Sequence, residues 1–157
     1  MLAHPAPCGS TSTRLLAVFL SAALISACIP WPRKATLRQR LEVAAFDEDG
    51  GVLLDVQVTL VRFSYPHARA NESWTEPTSD GGVASFAEHR EWETIWPLLP
   101  HGIPFYDFAW CAEAPSRAAQ VGLAPRDGGN VAVFLAPGDA GCPSAQDVVD
   151  RARLGGS

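Results

Sequence analysis

From Arg40 to Phe46 the chain alternates, with Leu41, Val43 and Ala45 on one side and Glu42 and Ala44 on the other. The turn residues Asp47-Glu-Asp-Gly-Gly51 follow, and Val56-Gln-Val-Thr-Leu60 then alternates again and runs on through Phe63. A period of two marks a half-buried strand, and an Asp-Gly turn between two such runs predicts paired strands. Beyond the polar stretch Ser64–Asn71, the pattern predicts a strand around Trp74 and a turn at Ser79-Asp-Gly-Gly82. Val83–Ala87 is predicted as a strand with Ala84 and Phe86 on one face. Phe105–Ala112 is aromatic-rich and strand-like, and Arg117–Leu123 and Asn130–Leu135 follow around Pro125-Arg-Asp-Gly-Gly129. About seven short strands between Gly, Pro and Asp turns predict an all-β sandwich or barrel.

Two segments break this rhythm. Trp92 and Trp96 are four apart, a spacing that suits one helical face, and Pro97 and Pro100 stop any continuation. Near the end, Pro143-Ser144-Ala-Gln-Asp147 has the form of a capping box with Asp in place of the usual Glu or Gln. Ala145, Val148, Val149 and Ala152 form a narrow apolar stripe and Gly155-Gly156 ends it, so a short helix to about Leu154 is expected.

The first thirty residues read as an address. Arg14 precedes Leu15–Ile25, an uncharged run of 11 residues. A membrane-spanning helix needs about 20, whereas roughly 7–15 apolar residues behind a positive charge form a secretory core segment. The run ends in Leu24-Ile25-Ser26-Ala27-Cys28, which resembles the bacterial lipobox. Small Ser26 and Ala27 admit a peptidase to the backbone. The Cys28 thiol takes a diacylglycerol, and cleavage frees its amine for a further acyl chain. The resemblance implies a lipid-anchored envelope protein whose partner is the bilayer. Ile29, where an Asp would favour inner-membrane retention, leans toward the outer membrane, facing the periplasm. The expected layout is a signal peptide over 1–27, a tether over 28–38, a sandwich over 39–137 and a tail with a short helix over 138–157. After the cysteine, Trp31, Arg33, Lys34, Arg38 and Arg40 suit a headgroup interface, the alternative being a short disordered tether.

Composition narrows the function. The 157 residues are 47% hydrophobic but only 18% charged, so the chain carries enough apolar surface for a core and too little charge for disorder. Its net charge is −5 and Lys34 is its one lysine, which counts against nucleic-acid binding, where phosphates need a basic face. With Cys8 in the signal and Cys28 acylated, Cys111 and Cys142 remain. An even pair in an oxidising compartment is expected to form a disulfide, contributing about 3.5–4 kcal/mol by loop closure, the alternative being two buried thiols.

A family resemblance fits this frame. Leu41-x-Val-x-x-Phe-Asp-Glu-Asp-Gly-x-x-Leu53-x-Asp-Val-x-Val-x-Leu60, then Thr78-Ser-Asp-Gly-Gly-Val-Ala-Ser-Phe86, resembles the carboxypeptidase-regulatory-like domains of the transthyretin-like superfamily over about residues 38–136. The resemblance implies a prealbumin-like, Ig-like sandwich. The family's common Pro after the first turn and Gly before the second strand are replaced by Val52 and Asp55.

Catalytic chemistry is not expected. Hydrolases of the superfamily end in Tyr-Arg-Gly-Ser, and this chain ends Arg153-Leu-Gly-Gly-Ser157. Tyr65, Tyr106, His67, His89 and His101 form no recognisable metal pattern, and Asp47–Gly50 reads as a turn rather than a calcium loop. The expectation is therefore a non-enzymatic module without cofactor or metal. Its partner is an envelope protein or a glycan. The aromatic residues Trp74, Trp92 and Trp96 are candidate ligand contacts, with core filling as the competing role, while Trp110 and Phe86 are assigned to the core.

Overall fold

A computed structural model describes residues 31–95 and 105–155. The larger of its two units comprises Lys34–Trp92 and Pro104–Ser157, and the smaller comprises Met1–Arg33 and Glu93–Ile103. Nine strands and a helix occur among the described residues: β1 Trp31–Arg38, β2 Leu41–Asp47, β3 Gln57–Ser64, β4 Arg69–Pro77, β5 Val83–Phe86, β6 His89–Ile95, β7 Tyr106–Glu113, β8 Gln120–Leu123, β9 Gly129–Leu135 and α1 Ala145–Gly155.

The larger unit is a β-sandwich. One sheet has the order β5-β2-β9 and the other β4-β3-β7-β8. The alternation read from the sequence fills the space between them. Leu41, Val43 and Ala45 from β2 meet Val58 and Leu60 from β3, Phe108, Trp110 and Ala112 from β7, and Val133 and Leu135 from β9. Ala84 and Phe86 of β5 point inward as expected. β2 runs parallel to β9, from Leu41 opposite Gly129 to Asp47 opposite Leu135, and antiparallel to β5.

The Asp-Gly turn does not make the expected hairpin. Asp47 Oδ1 accepts from the amides of Asp49 (3.1 Å) and Gly51 (2.6 Å), so the turn itself forms. The chain then crosses to the other sheet, and β3 pairs with β4 and β7 instead of β2. Leu53 N donating to Ala45 O and Thr78 Oγ1 accepting from Val56 N fix the crossing. Both runs alternate because each faces the shared core, which period-two patterning cannot distinguish from direct pairing.

β7 is buried on both faces. Ala109 and Cys111 point away from the sandwich core and pack with Val61 and Phe63 of β3 under Val148, Val149 and Ala152 of α1. This explains why the part of the aromatic-rich stretch from Phe108 to Ala112 is apolar without a break. The helix thus covers the outer face of the four-stranded sheet. Its start follows the expected cap, with Ser144 Oγ accepting from Asp147 N (3.3 Å) and donating to Asp147 Oδ2 (2.6 Å). The sulfurs of Cys111 and Cys142 are bonded at 2.00 Å, tying the segment ahead of α1 to β7.

Two expectations are corrected. Residues 31–38, part of the stretch 28–38 expected as tether, form β1, and Glu91–Trp96, whose tryptophan spacing suits a helical face, lies as far as Ile95 on β6. The two strands pair in a separate ribbon, which raises the count from about seven to nine. A spacing of four is a multiple of two as well as close to a helical turn, so the interval from Trp92 to Trp96 fits either period, and for Trp92 the pairing of β6 with β1 decides. The strand expected over Arg117–Leu123 shortens to β8, because Ala118 and Ala119 are engaged by the backbone of Ala136 and Ala140 instead.

Candidate functional site

The candidate aromatic residues do not form one cluster among the described residues. Trp74 on β4 lies opposite Leu60, is half-buried and packs against the sandwich core, with the Arg38 guanidinium 5.9 Å from its ring. Its exposed edge lines a hollow of about 370 Å³ with Leu37, Glu72 and His89. Trp92 on β6 is 67% exposed, and the Lys34 ammonium stands 5.5 Å from its ring. Trp96 and Cys28 lie outside the described residues. Trp110 is core as expected, its indole donating to Leu123 O (3.3 Å) above Gly122, where any Cβ would sit 2.6 Å from Trp110 Cζ2.

A different set of residues converges on an open cavity of about 580 Å³, lined by Tyr65, Phe105, Tyr106, Asp107 and Arg126. Each is placed by a backbone contact. Tyr65 N donates to Phe105 O (2.9 Å), which sets the two aromatic residues side by side where β3 and β7 begin to part. Register puts Tyr106 opposite Ser64 and Asp107 opposite Phe63. Arg126 sits in the turn Pro125–Gly128, closed by Gly128 N donating to Pro125 O (2.9 Å). Gly128 has φ +71°, and a side chain there would run into the Arg40 carbonyl, so glycine lets this turn press against the β1–β2 link. Gln39, the one buried polar side chain among the described residues, donates to Pro125 O and holds the turn from the other side.

A second cleft of about 460 Å³ shares Tyr106, Asp107 and Arg126 with the first, so the two are adjacent, and the pair is called the trough below. Its charged residues are Arg40, Arg90 and Arg126 against Glu88, Asp107 and Asp127. Arg90 Nε donates to Glu88 Oε1 at 2.6 Å. Burial pushes the Asp107 carboxyl above its ordinary value of 3.8, and this outweighs the opposing pull of Arg126. Behind Tyr106 lies Arg62, its guanidinium carbon 4.7 Å from the ring and its Nη2 3.3 Å from Glu72. Arg62 Nε and Nη1 are buried without a hydrogen-bond partner. The Tyr65 ring leans on Phe63 at 5.7 Å and is approached by Arg153 of α1 at 6.0 Å.

Tyr65, Phe105, Tyr106, Asp107 and Arg126 come from three distant stretches, and the sequence reading did not join them. The usable signal was the start of an aromatic strand beside a charged Pro-Arg-Asp-Gly turn. Among the described residues, no three His, Cys, Asp or Glu side chains come together as a metal site would require, and no helix is long and apolar enough to cross a membrane. His67 and His89 are exposed, the latter against Glu91 at 3.0 Å, and His101 lies outside the described residues.

No family model matches the chain, and no curated protein or solved structure matches it.

Proposed function

We propose that the chain is a non-enzymatic, lipid-anchored module of the bacterial cell envelope, held in the membrane through acylated Cys28, with a transthyretin-like sandwich as its body. The observation that carries this reading is the Leu24-Ile25-Ser26-Ala27-Cys28 motif at the end of an 11-residue apolar run, with Ile29 and Pro30 between it and Trp31, where the first strand opens. Two or more acyl chains, each contributing about 0.8 kcal/mol per buried methylene, hold a protein stably on a bilayer. The finer fold reading is supported by the two-sheet order with its first sandwich strand parallel to its last, and by the Asp-rich turns at 47–51 and 79–82. Exposed Trp92, with the Lys34 ammonium 5.5 Å from its ring, supports a surface that rests on headgroups. Placement at the outer membrane, facing the periplasm, rests on Ile29 following the cysteine.

Metabolic labelling with palmitate tests the anchor. Wild type should take up label and fractionate with membranes, and Cys28→Ser should do neither. Equal label in both, or label in neither, overturns the reading.

A further inference from the structure

We propose that the trough at the open end of β7 is a glycan-binding subsite that takes neutral sugar rings, with Tyr65 and Phe105 as stacking faces and Asp107 and Arg126 as the hydroxyl-reading pair. This gives the envelope module of the preceding section a ligand class, and it rests on that reading only for its setting.

Four observations carry it. The first is shape: a cavity of about 580 Å³, with a second of about 460 Å³ against the same Tyr106, Asp107 and Arg126, offers room for a sugar ring rather than for one small ion. The second is the aromatic lining. Phe105 is 64% exposed and Tyr65 39%, although both are tied to the frame through the Tyr65–Phe105 backbone bond. Large apolar side chains held open at a cavity mouth leave a face for the carbon-bound hydrogens of a pyranose.

The third is charge. Arg40, Arg90 and Arg126 balance Glu88, Asp107 and Asp127, so the trough has no net charge. An anionic ligand needs a positive surplus and a cationic ligand a negative one. A hydroxyl both donates and accepts, and a wall that holds both guanidinium donors and carboxylate acceptors suits it. The fourth is rigidity. Tyr106 is backed by the Arg62 guanidinium at 4.7 Å, and the Arg126 turn is fixed by Gln39 and by Gly129 N donating to Arg40 O (3.2 Å). A pre-formed site loses little order on binding. The trough also differs from the tryptophan sites. Trp92 does not line it, which supplies an internal control.

The test uses the full chain solubilised in a detergent without a sugar headgroup. Trisaccharides of glucose, mannose, galactose and N-acetylglucosamine are titrated and followed by saturation-transfer NMR and calorimetry. At least one should bind with saturation. Phe105→Ala and Arg126→Ala should each weaken it tenfold or more with unchanged melting temperature, and Trp92→Ala should stay within twofold. A trimer of an acidic sugar should bind no more tightly than its neutral counterpart. No binding by any trisaccharide, retained binding in both trough variants, loss in Trp92→Ala, or a strong preference for the acidic trimer overturns the proposal. Because these readings do not depend on acylation, failure here leaves the Cys28 labelling result intact, and the reverse also holds.

Discussion

Cutting the Cys111–Cys142 bond should lower stability substantially while leaving the helix in place. The bond closes a loop with a sequence separation of 31. Loop-closure entropy for that length is about 12 cal/mol/K, or about 3.7 kcal/mol at 25 °C. With an unfolding entropy of roughly 2.1 cal/mol/K per residue over the 116 described residues, this corresponds to a fall in Tm of about 15 °C. The helix has its own hold on the sheet, because Val148, Val149 and Ala152 are buried against Val61, Phe63 and Ala109. The loss should therefore appear as one cooperative transition at lower temperature, with the helical signal unchanged before it. Calorimetry of wild type against the Cys111→Ala/Cys142→Ala pair measures this. Non-reducing mass spectrometry confirms the bond in wild type. A shift under about 3 °C would refute the loop-closure account. An early separate transition in the helical signal would show that the bond, and not apolar packing, holds α1.

Asp107→Asn should stabilise the protein at neutral pH. A carboxyl whose folded value is raised keeps its proton longer in the folded chain, so stability falls as pH rises from the ordinary 3.8 through the folded value and is flat above it. The variant should melt higher than wild type near pH 7, with the gap closing below 3.8, and a gap that does not change with pH contradicts this. Gly122→Ala drives a methyl into Trp110 and should cost about 1–3 kcal/mol in denaturant unfolding, with a change in indole fluorescence. Ser144→Ala removes the acceptor for Asp147 N and should cost about 1 kcal/mol, read by the same unfolding curves.

Much of the sandwich was legible because its strands have one face in the core. All seven strands expected in it are present, and Ala84, Phe86, Leu41 and Val43 point where the alternation places them. Which strand lies in which sheet was not legible, since β2 and β3 carry the same pattern whether they pair or face one another across the core. The ribbon was obscured by a spacing that satisfies both periods. The cap at Ser144 and Asp147 was readable because it is local. The box closes differently, however: the Asp147 carboxylate accepts a hydrogen bond from the Ser144 hydroxyl. The trough was the least legible feature, since Tyr65, Phe105 and Arg126 each read alone as a loop or strand-end residue.

β7 connects these points. It is covered on one side by the sandwich core and on the other by α1, and it is bound through Cys111 to the segment before that helix. A strand held on both faces has little freedom along its length, and the side chains where it emerges inherit that order. Phe105, Tyr106 and Asp107 are those side chains. The Arg126 turn is brought beside them by Ala124 N donating to Phe108 O (2.8 Å), so the opposite wall is fixed to the same strand. Stability and recognition are thus built on one element but at different places along it. The disulfide acts at Cys111, four residues from Asp107, mainly by restricting the unfolded chain. Its loss should lower Tm without loosening the trough, whereas substitutions at Phe105 or Arg126 should weaken binding without lowering Tm.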